Sequence, residues 1–368
     1  MKDKLPKVIF ILSSISQPRC IKRIQGFLAN NIDLQIYGFD RGRQNINASI
    51  KEQEIHILVK QSQGKNYIKR LFQAHKAIRG VKKIHENKEV LYYSFGFLPT
   101  LLLKLSGIKY YVYEISDIFY GYKKFSYFRW AFKIVDKILI KKSTLTVMTS
   151  EGFSYYLFKD NPPKNIVFQP NKMDHSFTNK KILAPRNDFR EKIIFSFIGS
   201  FRSPRTIFRF ARIIGEKYSN YEFHFYGDSQ LTGEVIDLAK KFNNIKYFGP
   251  FKNPEQLSNI YSKIDILIAC YDNQELNERI LEPNKFYEAL YFRKPIIVSE
   301  KTFLAERVKH FGCGFTINAL NDESIVTFIN SIDIKNLNKI KTNIKKIDLK
   351  EIIDDNSIGI IKYLNKKL

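Results

Sequence analysis

Four clusters of side chains in this 368-residue chain combine types and spacing that can do chemistry. The first is Gly199-Ser200-Phe201-Arg202, directly after an apolar run. A glycine there lets backbone approach a phosphate closely, and Arg202 or Arg205 would neutralise it. An ordinary strand-end turn with solvated arginines reads the same residues. The second is Glu282-Pro283-Asn284-Lys285-Phe286-Tyr287-Glu288. Pro283 at a helix start leaves backbone N–H groups free, and such an end favours an anion such as a diphosphate. Lys285 adds a full positive charge. Glu288, one turn further on, suits the two hydroxyls of a ribose, for which a carboxylate is a two-oxygen acceptor. A capped core helix with a chance charge pair is the alternative. The third is Glu114-Ile115-Ser116-Asp117. Asp117 would orient or deprotonate an acceptor hydroxyl, or else cap a helix.

The fourth cluster, residues 120–142, interleaves Tyr120, Tyr122, Phe125, Tyr127, Phe128, Trp130 and Phe132 with seven Lys and Arg. An amphipathic helix at an anionic membrane interface has this composition. The expected contacts are Lys123, Lys124, Arg129, Trp130 and Lys133. A helix that packs its aromatics on a sheet and solvates its lysines has it too. Residues 65–83 are similarly basic. Residues 1–180 carry 31 Lys and Arg against 13 Asp and Glu, whereas residues 181–368 carry 30 against 23. The basic half therefore points to an anionic partner such as a membrane surface, a phosphorylated acceptor or nucleic acid, or to coding bias towards lysine. No nucleic-acid-binding motif accompanies the charge, so no nucleic-acid partner is expected.

Several chemistries lack their residues. The six histidines have no metal-ligand spacing, and no Asp-x-Asp precedes a strand end. No metal and no organic cofactor is expected. There is no Gly-x-Ser-x-Gly elbow and no Gly-x-Gly-x-x-Gly dinucleotide fingerprint. Cys20, Cys270 and Cys313 are scattered, which fits a reducing compartment. No apolar run approaches the ~20 residues that span a bilayer. The lysines before residues 8–12 resemble a signal peptide, but a five-residue run reads as a first strand. A cytoplasmic protein on the inner face of the plasma membrane is expected.

Elements that would position these clusters alternate between strand and helix. Strands are predicted at 8–12, 34–39, 90–94, 110–115 and 145–149, with helices at 19–29 and 100–104. A Pro- and Asn-rich loop spans 161–171, and a linker is placed near 172–190. The alternation restarts with strands at 193–198, 222–226, 246–248, 264–269 and 295–299. Helices are predicted at 204–218 and 283–292, and Lys-rich helical segments at 323–346 and 350–367. Such alternation implies two α/β domains with parallel sheets, Rossmann-like, facing a cleft. Ligands in such sheets bind beyond the carboxyl ends of the strands. The expected boundaries are 1–178, 179–348 and a C-terminal helix at 349–368 packing back on the first domain.

Set in order, Ile245-Lys246-Tyr247-Phe248-Gly249-Pro250, the block 277–299 with Pro283-Asn284-Lys285-Phe286-Tyr287-Glu288, and Lys294-Pro295-Ile296-Ile297 resemble bacterial glycosyltransferases of the GT-B fold. The nearest subgroup is the family-four retaining enzymes that build capsules and other exopolysaccharides. The resemblance covers most of the second domain. Pro18-Arg19-Cys20-Ile21-Lys22-Arg23, residues 113–117 and Thr149-Ser150-Glu151-Gly152-Phe153 are similar to the same group more loosely. It implies that Gly199 and Arg202 face a donor diphosphate, that Asn284 and Lys285 start the diphosphate-facing helix, and that Glu288 holds the ribose. Asp117 would lie near the acceptor. Catalytic roles fall to Asp117, Arg202 and Lys285. The family's first glutamate, separated from its second by seven residues, would fall at Ile280, which cannot bond a sugar. Glu282 or Glu278, or Asn277 with Arg279, would then serve. The family's histidine before the first-domain aspartate is Ser116 here. The implied activity is sugar transfer from a nucleotide-diphosphate donor to a lipid-linked or other glycan acceptor. A GT-B nucleotide-sugar epimerase, or a non-catalytic basic module binding membrane or nucleic acid, are the alternatives.

Overall fold

The computed structural model describes residues 5–14, 17–40, 55–60, 67–179 and 192–368. The stretch of the expected linker from 180, the lysines at positions 2 and 4, and the start of the basic stretch at 65 lie outside the described residues. The chain forms two compact units. Met1–Asp174 with Asp354–Leu368 make the first, and His175–Ile353 the second.

In the first unit, Val8-Ile9-Phe10-Ile11-Leu12 is apolar at every position, as a strand covered on both faces must be. It forms β1 (Lys7–Leu12). With β2 (Leu34–Asp40), β3 (Ile55–Lys60), β4 (Val90–Phe95), β5 (Tyr111–Ile115), β6 (Leu145–Met148) and β7 (Ile166–Phe168) it builds a parallel sheet ordered β3-β2-β1-β4-β5-β6-β7. The helices are α1 (Pro18–Ala29), α2 (Tyr67–Ile84), α3 (Phe97–Leu105), α4 (Arg129–Lys142) and α5 (Glu151–Phe158). Pro18 opens α1, where its missing N–H is no loss. Cys20, Ile21, Ile24 and Phe27 of α1 face Val8, Phe10 and Tyr93, joined by Ile360, Ile361 and Leu364 from the C-terminal helix Ile358–Lys367. The strand β7 falls where a loop is predicted. It has three residues, and its two prolines just upstream mask it in the sequence.

A buried polar clamp ties that C-terminal segment down. Arg23 reaches Glu114 with Nε–Oε2 at 2.9 Å and Nη2–Oε1 at 3.3 Å, and its Nη1 donates to Ser357 Oγ at 2.9 Å. Tyr93 donates to the same carboxylate. Lys22 pairs with Asp354 at 3.2 Å, and Gln169 donates to Asp354 at 3.1 Å. Burial opposes the charge on Arg23, and Glu114 outweighs it, so the guanidinium pKa is raised.

The second unit repeats the logic. The strands β8 (Ile193–Ile198), β9 (Tyr221–Tyr226), β10 (Ile245–Tyr247), β11 (Ile266–Ala269), β12 (Ile296–Ser299) and β13 (Gly314–Ile317) form a parallel sheet ordered β10-β9-β8-β11-β12-β13. The helices that bear on the site are α6 (Arg209–Lys217), α7 (Thr232–Lys241), α8 (Leu257–Ser262), α9 (Leu276–Ile280) and α10 (Asn284–Tyr291). The helix predicted over 204–218 is a π-helical turn, Pro204–Phe208, followed by α6. Strand order reverses between β8 and β11, and at such a reversal the connections diverge and leave a crevice for ligands.

Candidate functional site

Several of the singled-out residues follow strands of the second unit: Gly199 and Arg202 come after β8, and Asn284 and Lys285 open α10 between β11 and β12. Three neighbouring strands each run into a glycine of positive φ: Gly199 (+114°), Gly227 (+130°) and Gly249 (+79°). A Cβ on Gly227 would collide with the Gly199 carbonyl, so only glycine fits this approach. Gly199 N donates to Tyr226 O at 2.7 Å, and Gly227 N to Gly249 O at 2.8 Å. Backbone thus lies bare at the carboxyl edge of the sheet.

Lys285 closes over that edge. Its Nζ lies 4.6 Å from the centroid of the buried Phe197 ring and 3.0 Å from where a Gly199 Cβ would stand. No carboxylate oxygen lies within ion-pair distance of it among the described residues, although its charge reaches Glu288. Pro283 is the N-cap of α10 and offers no side-chain cap. Phe286 N bonds back to Pro283 O at 3.1 Å, while the N–H groups of Asn284 and Lys285 have no acceptor among the described residues. Free N–H groups, the positive helix end and an unpaired ammonium converge here, which is a diphosphate's requirement. Arg202, three residues beyond Gly199, is exposed, and its charge acts on Glu278, whose pKa it helps to lower against burial.

The two glutamates of this segment go different ways. Glu288 is buried and accepts from Tyr261 Oη at 2.7 Å through Oε2; Oε1 has no partner among the described residues. Burial raises its pKa, against the opposing pull of Lys285 and the Tyr261 hydrogen bond. Glu282 is buried with Oε1 accepting from Tyr287 Oη at 2.6 Å and from Arg307 Nε at 3.1 Å. Its carboxylate is held by the unit's own interior.

Sequence reasoning did not find the device that joins the β8 loop to the β11 loop. Glu278 Oε2 accepts from Ser203 Oγ at 2.6 Å and from the Asp272 N–H at 2.7 Å. Ser203 holds a left-handed φ of 56°, a conformation that a non-glycine residue keeps only when its surroundings impose it. Arg205 adds an ion pair to Asp272 at 3.3 Å. Asn277 and Arg279 flank Glu278 on α9, the first buried and the second exposed, and Ile280 ends that helix. No local pattern announces the bond from Ser203 to Glu278, since these two stand 75 residues apart in the chain. Asp117 belongs to the first unit, exposed and two residues past β5. Among the described residues no group of His, Cys, Asp and Glu is arranged to hold a metal ion.

The basic aromatic segment of the first unit divides between both readings. Tyr120 is fully buried, and Phe132 packs against Phe97, Phe119 and Phe125. Arg129 donates to the Tyr120 and Gly121 carbonyls, and Lys133 to the Tyr156 carbonyl at 2.8 Å. These side chains build the unit. Tyr127 (88% exposed), Phe128, Trp130 (68%), Ile134 and Ile138 instead face outward, with Lys123 and Lys124 exposed beside them. Inside the segment, Asp136 accepts from Tyr113 at 2.8 Å and Tyr120 at 2.9 Å, and burial pushes its pKa up to about 6. No helix among the described residues is long and apolar enough to cross a membrane.

Residues 179–346 match the family model described as glycosyl transferases group 1. The second unit carries a glycosyl transferases group 1 domain. That domain makes the chain an enzyme of the glycosyltransferase type. No curated protein sequence matches the chain. Among solved structures, a sucrose-phosphate synthase from Thermosynechococcus elongatus superposes with a TM-score of 0.73 at 13% identity, covering 98% of both chains. A glycosyltransferase from Rickettsia africae does so with 0.67 at 14%, covering 99% of this chain and 97% of its own. HepE from Anabaena, solved with UDP and glucose, gives 0.68 at 12%, with 98% of both chains covered. At these identities the likeness is one of fold: two α/β units with parallel sheets, the GT-B architecture.

Proposed function

We propose that this glycosyltransferase moves a sugar from a nucleotide-diphosphate donor to a growing, lipid-linked bacterial surface glycan, with retention of configuration. The observation that carries the reading is the unpaired Lys285 ammonium over Gly199, beside the free N–H groups of α10. The donor diphosphate lies against Gly199, Asn284 and Lys285, and Arg202 draws on the same charge. As the glycosidic bond to the diphosphate breaks, negative charge grows on the leaving oxygen, and the fixed cations and helix end stabilise it. Glu288 receives the ribose hydroxyls through Oε1 while Tyr261 holds Oε2. Asn277 and Arg279, presented by α9, take the sugar. Glu282 acts from behind, fixing the α10 start through Tyr287 and Arg307. Residues 179–348 form the donor domain, and residues 1–178 receive the acceptor with Asp117 at its hydroxyl. In a retaining reaction the departing phosphate can itself take the acceptor proton.

The outward aromatic and basic face of the first unit supports a peripheral seat on an anionic membrane, the inner face of the plasma membrane, where a lipid-linked acceptor is met. A screen of nucleotide-sugars for thermal stabilisation, beginning with uridine diphosphate donors and followed by hydrolysis assays, tests the donor reading. Failure of every nucleotide-sugar to stabilise the protein sinks it. Flotation with anionic vesicles tests the membrane seat separately: salt-sensitive co-migration is expected, and its absence counts against it.

A further inference from the structure

Between α2 and the C-terminal end of α3, the first unit holds a recess of about 720 Å³. From α2 come Lys76, Arg79, Lys82 and Lys83, a spacing that keeps successive cations on one side of a helix. None of the four has a carboxylate partner among the described residues. Glu86 is the one acid in the lining. Like charges crowd together here without the ion pairs that usually relieve them.

Two polar atoms of the lining are also unsatisfied. Ser106 Oγ and His75 Nε2 are buried and have no hydrogen-bond partner among the described residues. Ser106 is only 8% exposed. Its N–H already closes α3 by bonding to the Leu102 and Leu103 carbonyls, so the hydroxyl is not needed by the helix end. A buried hydroxyl without a partner is disfavoured unless a ligand or water completes it. Lys82 Nζ lies next to Gly107, 3.3 Å from where a Cβ would stand, at the same end of α3.

A hydroxyl, an imidazole and several cations converging on one recess call for a compact anion with many acceptor oxygens. A phosphate group supplies three or four, whereas a carboxylate supplies two. The end of α3 opposes an anion with about half a negative charge. Four full positive charges outweigh it. We propose that this recess binds a phosphate group, free or carried by an anionic lipid headgroup. Phe72 (72% exposed) lines the recess and Leu105 adjoins it, apolar neighbours that suit a headgroup. Only the lipid arm rests on the membrane seat proposed above; binding of bare phosphate stands apart from it and from sugar transfer.

Histidine-selective NMR on the full chain tests this, because there are six histidines and His75→Gln identifies one signal. Inorganic phosphate is titrated against chloride at matched ionic strength, and then soluble dihexanoyl phosphatidic acid. A saturable shift of the His75 ring by phosphate identifies a bare phosphate as sufficient. A shift by phosphatidic acid alone assigns the recess to a lipid headgroup. The double variant Lys76→Gln/Arg79→Gln should weaken binding at least tenfold with an unchanged melting temperature, and Ser106→Ala several-fold. No shift with either probe, an equal shift with chloride, or full affinity in the folded double variant overturns the proposal.

Discussion

The ammonium of Lys285 stands over Gly199 so closely that a Cβ on the glycine would be 3.0 Å from Nζ. Backbone at the end of β8 and charge at the start of α10 therefore form one surface. Gly199→Ala would disturb both. At a φ of +114° a side chain is strained, by on the order of 1–3 kcal/mol, and the new methyl displaces Lys285. We expect nucleoside diphosphate affinity to fall at least tenfold by calorimetric titration. Lys285→Gln should lose as much affinity while keeping the melting temperature. If Gly199→Ala binds as the parent does, backbone approach at this edge is not part of donor binding.

Glu288 makes donor binding sensitive to pH. Its folded pKa is raised, chiefly by burial. The carboxylate must be ionised to accept two ribose hydroxyls, so donor affinity should decline on the acid side starting above the usual carboxylate range. Tyr261 donates to the ionised form, and Tyr261→Phe should move that decline to higher pH. Glu288→Gln should bind weakly at every pH and lose this acid limb. Dissociation constants across a pH series measure both effects, and an acid limb surviving in Glu288→Gln would assign it to another group.

What the sequence could reveal follows from the range of each interaction. Central strands such as Val8-Ile9-Phe10-Ile11-Leu12 and Ile266-Leu267-Ile268-Ala269 are apolar runs, legible because parallel sheets are covered on both faces. Gly199, Lys285 and Pro283 are legible by type and local position. The division of labour between Glu282 and Glu288 is not. It depends on Arg307 and Tyr261, which stand 25 and 27 residues away in the chain and meet them only through tertiary packing. Ser203 and Glu278 are hidden for the same reason. Asp136 was within reach: helical spacing puts it on one side with Phe132, Leu139 and Ile140, so an aspartate sits on the apolar face of a lysine-rich helix.

Asp136 sets a second pH dependence, this time of stability. Its folded pKa of about 6 lies above the ordinary aspartate value of 3.8. Between these the folded state holds the extra proton, so stability falls as pH rises through this window. The full effect is on the order of 3 kcal/mol. Asp136→Asn should flatten this slope between about pH 4 and pH 6 in denaturant titrations, relative to the parent. An unchanged slope would mean that the carboxyl is not shielded from water as its burial implies, or that the bonds from Tyr113 and Tyr120, which favour the charged form, offset that burial.

The Arg23 clamp predicts how the C-terminal segment matters. Arg23 and Glu114 are both buried, and Ser357 fills the guanidinium's remaining edge. Removing one partner of such a pair strands the other charge, at a penalty of roughly 3–5 kcal/mol. Glu114→Gln should therefore destabilise the first unit strongly, whereas Lys7→Gln, which breaks the exposed pair to Asp33, should change little. Ending the chain at residue 353 removes Ser357 together with Ile360, Ile361 and Leu364 from the core of the first unit. Differential scanning calorimetry should then show the transition of the first unit lowered and that of the second nearly unchanged. An equal drop in both transitions would mean that the segment stabilises the two units together rather than completing the first.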